Sequence, residues 1–92
     1  MAAKILVVDD SPVLRASVRF ALASIGLEIL EASDGQHGLE TLAAVPAGDK
    51  IALILTDVNM PRMDGLTFVR EVKKTSFKFV PVLVLTTESQ AG

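Results

Sequence analysis

Cysteine is absent from the 92 residues, which excludes disulfides, thiolate metal sites and thiol nucleophiles. An excess of basic charge is also missing. Nine Lys and Arg stand against eleven Asp and Glu, a formal charge of -2, and no basic stripe appears. Nucleic-acid binding therefore has no electrostatic support. No apolar run approaches the length of a membrane-spanning helix. The N-terminus, Met1-Ala2-Ala3-Lys4, passes straight into an apolar strand pattern rather than a signal peptide, so the expected setting is cytoplasmic, with no membrane partner. No GxGxxG or Gly-rich phosphate loop occurs, which leaves neither a dinucleotide site nor a P-loop.

What is abundant is apolar. Half of the residues are hydrophobic and the mean hydropathy is +0.47, a composition suited to a sheet buried on both faces. Lys4–Val8 is a short β-branched run closed by Asp9-Asp10. Ser11-Pro12 reads as a helix start, a capping hydroxyl followed by proline at the first helical position. Leu14, Val18, Ala21, Leu22 and Ile25 then recur at helical spacing, with Arg15 and Arg19 on other faces, until Gly26 stops the helix. Leu27–Glu31 alternates as a second, more peripheral strand, with Leu27, Ile29 and Glu31 on one face. Ser33-Asp34-Gly35 caps a second helix with Leu39, Leu42 and Ala43 as its apolar stripe, ended by Val45-Pro46-Ala47-Gly48.

The next stretch, Ile51–Gly65, organises the chain. Ile51-Ala52-Leu53-Ile54-Leu55 is an apolar run that changes abruptly into Thr56-Asp57-Val58-Asn59-Met60-Pro61, placing a carboxylate at a strand's C-terminal end. Pro61 cannot continue a ladder and biases Met60 toward an extended conformation, so the chain turns there. Asp64-Gly65 opens a third helix, with Gly65, Phe68, Val69 and Val72 inward and Arg70, Lys73 and Lys74 toward water. Val80–Leu85 is a fourth strand, and Thr86-Thr87 follow it.

The order β-α-β-α-β-α-β, joined by right-handed crossovers, predicts an α/β, doubly wound parallel sheet. Every carboxyl end of such a sheet lies on one edge, so Asp9-Asp10, Asp57 and Thr86-Thr87 converge there, where ligands bind in this architecture. Ionised carboxylates gathered at one edge repel each other, and a hard divalent cation is the usual remedy. With no cysteine, and with the single histidine, His37, expected as a solvated helix residue outside the cluster, Mg2+ fits the donors better than zinc. A carboxylate beside Mg2+ can take a phosphoryl group as an acyl phosphate. The blander readings, Asp57 as a turn cap and Thr86 as a strand-end turn residue, remain open on chemistry alone.

The residues also resemble a known family. KILVVDDSPVLR (Lys4–Arg15), ASDGQHGL (Ala32–Leu39), LILTDVNMPRMDGL (Leu53–Leu66) and VPVLVLTTES (Val80–Ser89) are similar, in order and across nearly the whole chain, to the receiver domain of two-component response regulators, particularly the single-domain chemotaxis type. The resemblance implies a flavodoxin-like fold with strand order 2-1-3-4. It implies Asp57 as acceptor of a phosphoryl group from a histidine of a sensor kinase. Asp10 would bind Mg2+ directly, Asp9 through a water, and Asn59 through its backbone carbonyl. Thr86 would be the switch hydroxyl, and Asn59 and Glu88 would tune loss of the phosphoryl group.

Against that pattern, the sequence stops where a fourth helix is expected. The domain is thus a partial receiver, residues 1–92, lacking the family's fifth-strand lysine, which Lys73, Lys74 and Lys78 do not match. Phosphotransfer is then expected to be slow or absent although Asp57 is intact, and the alternative is a phosphorylation-incompetent module for interaction or dimerisation. An aspartyl-phosphate hydrolase is disfavoured, because that class needs a second Asp where Asn59 stands. The fourth strand is expected at the sheet edge, favouring a homodimer through that strand or by segment exchange.

Overall fold

In the computed structural model, which describes residues 3–85, the apolar runs become parallel strands and the capped segments become helices. The elements are β1 (Ala3–Val8), α1 (Pro12–Leu22) with a single 3-10 turn at Ala23–Ile25, β2 (Glu28–Ala32), α2 (Gly35–Ala43), β3 (Lys50–Asp57), α3 (Gly65–Val72) and β4 (Val82–Leu85). All strand pairs are parallel, in the order β2-β1-β3-β4. This is the doubly wound α/β sheet expected from the alternation.

Each helix start follows from its sequence. The Ser11 hydroxyl accepts from the Leu14 amide at 3.2 Å with Pro12 in the first turn, and Asp34 and Asp64 cap α2 and α3 through the amides of His37 and Thr67. At Gly26, a φ of 78° ends the α1 segment in a left-handed turn that glycine adopts without steric cost.

The strands alternate between two apolar faces. Leu6, Val8 and Ile54 pack with Leu42 of α2 and with Phe68 and Val72 of α3. Ile5, Val7 and Leu55 face the other way, against Val18 and Leu22 of α1. Burial on both sides explains why β1 and β3 read as unbroken hydrophobic runs. Phe68 is wholly buried, and its ring lies where a β-carbon at Gly38 would sit 2.8 Å away, so α2 and α3 pack closely through that glycine.

Several expectations need correction. Ile25 is exposed, because the α-helix ends at Leu22 and the 3-10 turn changes the rotation per residue. Ala21 of α1 and Ala43 of α2 are exposed as well, outside the apolar stripes expected to hold them. The fourth strand begins at Val82 rather than Val80: Pro81 offers only its carbonyl, which accepts from Ile54, and has no N–H for the ladder. His37 is half-buried rather than solvated, its Nδ1 accepting from the Ser33 amide at 3.1 Å. Among the described residues, no helix is long and apolar enough to cross a membrane.

Candidate functional site

Asp9 follows β1 directly, and Asp57 is the last residue of β3. Because β1 and β3 are adjacent and parallel, with Val8 level with Thr56, their ends deliver the two carboxylates to the same place. Asp10, one residue on, is exposed, whereas Asp9 and Asp57 are buried. Ligand oxygens of Asp9, Asp10 and Asp57 all lie within 4.8 Å of one another. The structure thus brings together the three carboxylates expected to converge.

The surrounding backbone fixes each of them. The Asp9 amide donates to the Ala32 carbonyl at 3.0 Å, tying the site to the end of β2. One Asp9 carboxylate oxygen accepts from the Ser11 amide at 2.8 Å, and Asp57 accepts from the Val58 amide at 2.7 Å. Arg15 reaches back from α1 to donate to the Asp9 carbonyl at 2.6 Å, while its Nε pairs with Glu31 at 3.0 Å. Arg19 pairs with the same Glu31. This α1–β2 bracing was not visible in the helix pattern, which only set the arginines away from the core face.

Electrostatically the cluster is under-compensated. Burial pushes the Asp9 carboxyl above the ordinary carboxylate range, and the charges of Asp57 and Asp10 push the same way. The Ser11 amide and the Arg15 charge oppose them without winning. Among the described residues, no lysine or arginine forms a salt bridge with any of the three acids. Hard oxygen donors, two of them buried, clustered and lacking a cationic partner, fit a small divalent cation such as Mg2+.

The β3–α3 loop forms the rim. Exposed Asn59 lies two residues after Asp57. Arg62 has a φ of 65° and is the one non-glycine residue in the left-handed region among those described. Its guanidinium grips buried Asp34 with Nε at 2.9 Å and Nη2 at 3.2 Å. That contact holds the Asp34 carboxyl below the ordinary range. Sequence reasoning missed the pair, because 28 residues separate the partners and each has a sufficient local explanation. Thr86 and Glu88 lie outside the described residues. The residue preceding Thr86, Leu85, is level with Asp57 across the β3–β4 ladder.

Comparison with known proteins follows the same lines. The response regulator receiver domain family matches residues 5–92. Chemotaxis protein CheY1 of Helicobacter pylori is 40% identical over 87 residues, which make up 92% of this chain and 68% of that protein. A segment of the same organism's sensor histidine kinase CheAY is 45% identical over 84 residues, covering 89% of this chain and only a tenth (10%) of that much longer protein. Among solved structures, the response regulator TrrA of Thermotoga maritima in complex with Mg(2+)-BeF superposes with a TM-score of 0.81 at 31% identity. That alignment covers 97% of this chain and 72% of that one.

Proposed function

The chain belongs to the response regulator receiver domain family, and from that premise we propose that it accepts a phosphoryl group on Asp57 from a phosphohistidine of a sensor kinase. The observation that carries this reading is the meeting of Asp9, Asp10 and Asp57 within 4.8 Å at the carboxyl edge of the sheet. Asp10 and Asp57, with the Asn59 backbone carbonyl, would hold Mg2+, and Asp9 would act through a bound water. When bound, such a cation neutralises charge on the transferring phosphoryl oxygens.

The chain's own residues do the rest. The Val58 amide orients the Asp57 carboxylate, leaving its other oxygen free to attack phosphorus. As that O–P bond forms, the P–N bond of the phosphohistidine breaks. The ring nitrogen keeps the electron pair, and a proton already on the other nitrogen lets the imidazole leave neutral. The product is an acyl phosphate on Asp57. In the same reading Thr86 is the switch hydroxyl, Asn59 and Glu88 tune loss of the phosphoryl group, and the setting is the cytoplasm. The chain is then a phosphoacceptor signalling domain rather than a turnover enzyme.

Incubation with Mg2+ and a small phosphoramidate donor, followed by intact mass measurement, tests the proposal. One phosphoryl addition is expected on the native chain and none on Asp57→Asn or without Mg2+. A native chain that stays unlabelled would favour the alternative, an interaction module that does not take phosphate.

We further infer that this chain self-associates through β4. Among the described residues β4 pairs only with β3, and its Leu83 and Val84 are exposed. An apolar edge with free N–H and C=O groups is a template for another strand.

A further inference from the structure

The β3–α3 loop carries an arginine where the backbone asks for something else. A φ of 65° belongs to glycine, with asparagine the usual second choice. Arginine there gives up backbone comfort, and the structure shows what holds it: a two-pronged ion pair to Asp34, at 2.9 and 3.2 Å. Asp34 is buried and simultaneously caps α2 through the His37 amide at 2.9 Å, so it cannot move without disturbing that helix. The next residue repeats the attachment. The Gly35 amide donates to the Met63 carbonyl at 3.3 Å, and a β-carbon on Gly35 would sit 2.8 Å from Met63 Cγ. The loop is therefore seated flush on the start of α2.

We propose that Arg62 is a positioning residue: its fork on Asp34 latches the Val58–Asp64 loop to α2 and so presets the Asn59 carbonyl beside the Asp57 carboxylate for a divalent cation. The proposal rests on the metal reading above and adds to it a residue that does not touch the metal. Asp57 itself is fixed by the β3 ladder, whereas Asn59 sits in the loop beyond the strand's last rung. Loss of the latch thus acts on the loop donor and leaves the carboxylates in place.

The experiment is a double-mutant cycle on the full chain, using Arg62→Asn, which tolerates the backbone conformation, and Asp34→Asn, which retains a capping oxygen. Each single variant is expected to weaken Mg2+ binding about tenfold, the lower end for residues that orient ligands from outside the first coordination sphere. The double variant is expected to be no weaker than either single one. Arg62→Gly relieves the backbone entirely, and it too should lose affinity if the fork is what matters. Hydrogen exchange of the Val58–Asp64 amides, measured without Mg2+, should quicken in all of these variants. Full Mg2+ affinity in a folded Arg62→Asn or Arg62→Gly chain, or losses that add in the double variant, overturns the proposal. A native chain that takes up no Mg2+ sinks the metal reading instead. Amide exchange in the metal-free variants still judges the latch, and unchanged rates refute it.

Discussion

Gly65 and Asp57 meet backbone to backbone: a β-carbon at residue 65 would overlap the carbonyl oxygen of Asp57. The Gly65 amide, meanwhile, donates to the Val58 carbonyl at 2.8 Å. The first residue of α3 is thus pressed against the last residue of β3, and no side chain fits between them. The start of α3 is thereby set directly against the end of β3, where Asp57 stands.

Gly65→Ala should therefore destabilise the fold by about 3 kcal/mol or more, since the obstructing atoms are backbone and cannot rotate away. Gly48→Ala is the control. Nothing lies within 4 Å of a β-carbon there, and a change within about 0.5 kcal/mol is expected. Urea denaturation of both variants decides it, and equal midpoints would contradict the contact.

Asp9 offers a second expectation. Burial and its acidic neighbours already disfavour the Asp9 charge, while the Ser11 amide needs only an oxygen acceptor. Asp9→Asn keeps that acceptor and removes the charge. It should raise the melting temperature in the absence of metal and reduce the further rise that Mg2+ produces. Asp10→Asn, at an exposed position, should abolish the Mg2+ response with little change in the metal-free melting temperature. An intact Mg2+ response in folded Asp10→Asn would contradict the ligand assignment.

Much of this arrangement was legible in the sequence. The strands announced themselves as apolar runs ending in Asp9-Asp10 and Asp57, and their parallel order alone placed those acids together. Ser11-Pro12 and Asp64-Gly65 marked helix starts through short-range chemistry. What stayed hidden depends on partners far apart in the chain. Arg62 with Asp34, and Arg15 and Arg19 with Glu31, join segments that become neighbours only after folding. His37 read as a surface residue because its ring nitrogen meets the Ser33 amide and hydroxyl only once the chain has turned into α2. The left-handed backbone at Arg62 was equally silent, since arginine does not advertise that conformation.

The pH dependence should carry two opposite signatures. For Asp34, whose folded pKa is depressed by Arg62, the stabilisation is fully present above the ordinary aspartate value of about 3.9. It is lost as the pH falls below that value through the folded pKa. For Asp9, whose folded pKa is raised, the native state binds more protons than the unfolded chain. Stability then declines as the pH rises from the ordinary value through the raised one. In metal-free buffer, Asp34→Asn should flatten the acid limb and Asp9→Asn the decline above it. Exchange of those two effects between the variants would mean that the signs are wrong.

The outer edge of β4 supports the last prediction. Val84 is level with Thr56 across the β3–β4 ladder, and with Leu83 it forms an exposed apolar stretch on the sheet's last strand among the described residues. Apolar area left in water forgoes about 25 cal/mol per Å2, so pairing two such edges recovers burial as well as backbone hydrogen bonds. A lysine at this position adds a charge that must lose water when a second strand docks, and two copies would repel across a symmetric pair. Val84→Lys should therefore shift the mass measured by sedimentation toward the monomer. The stability of the single chain should change by less than about 1 kcal/mol, because the side chain is already partly solvated. A native chain that remains monomeric as concentration rises would refute the edge pairing, as would an unchanged dimer mass in folded Val84→Lys.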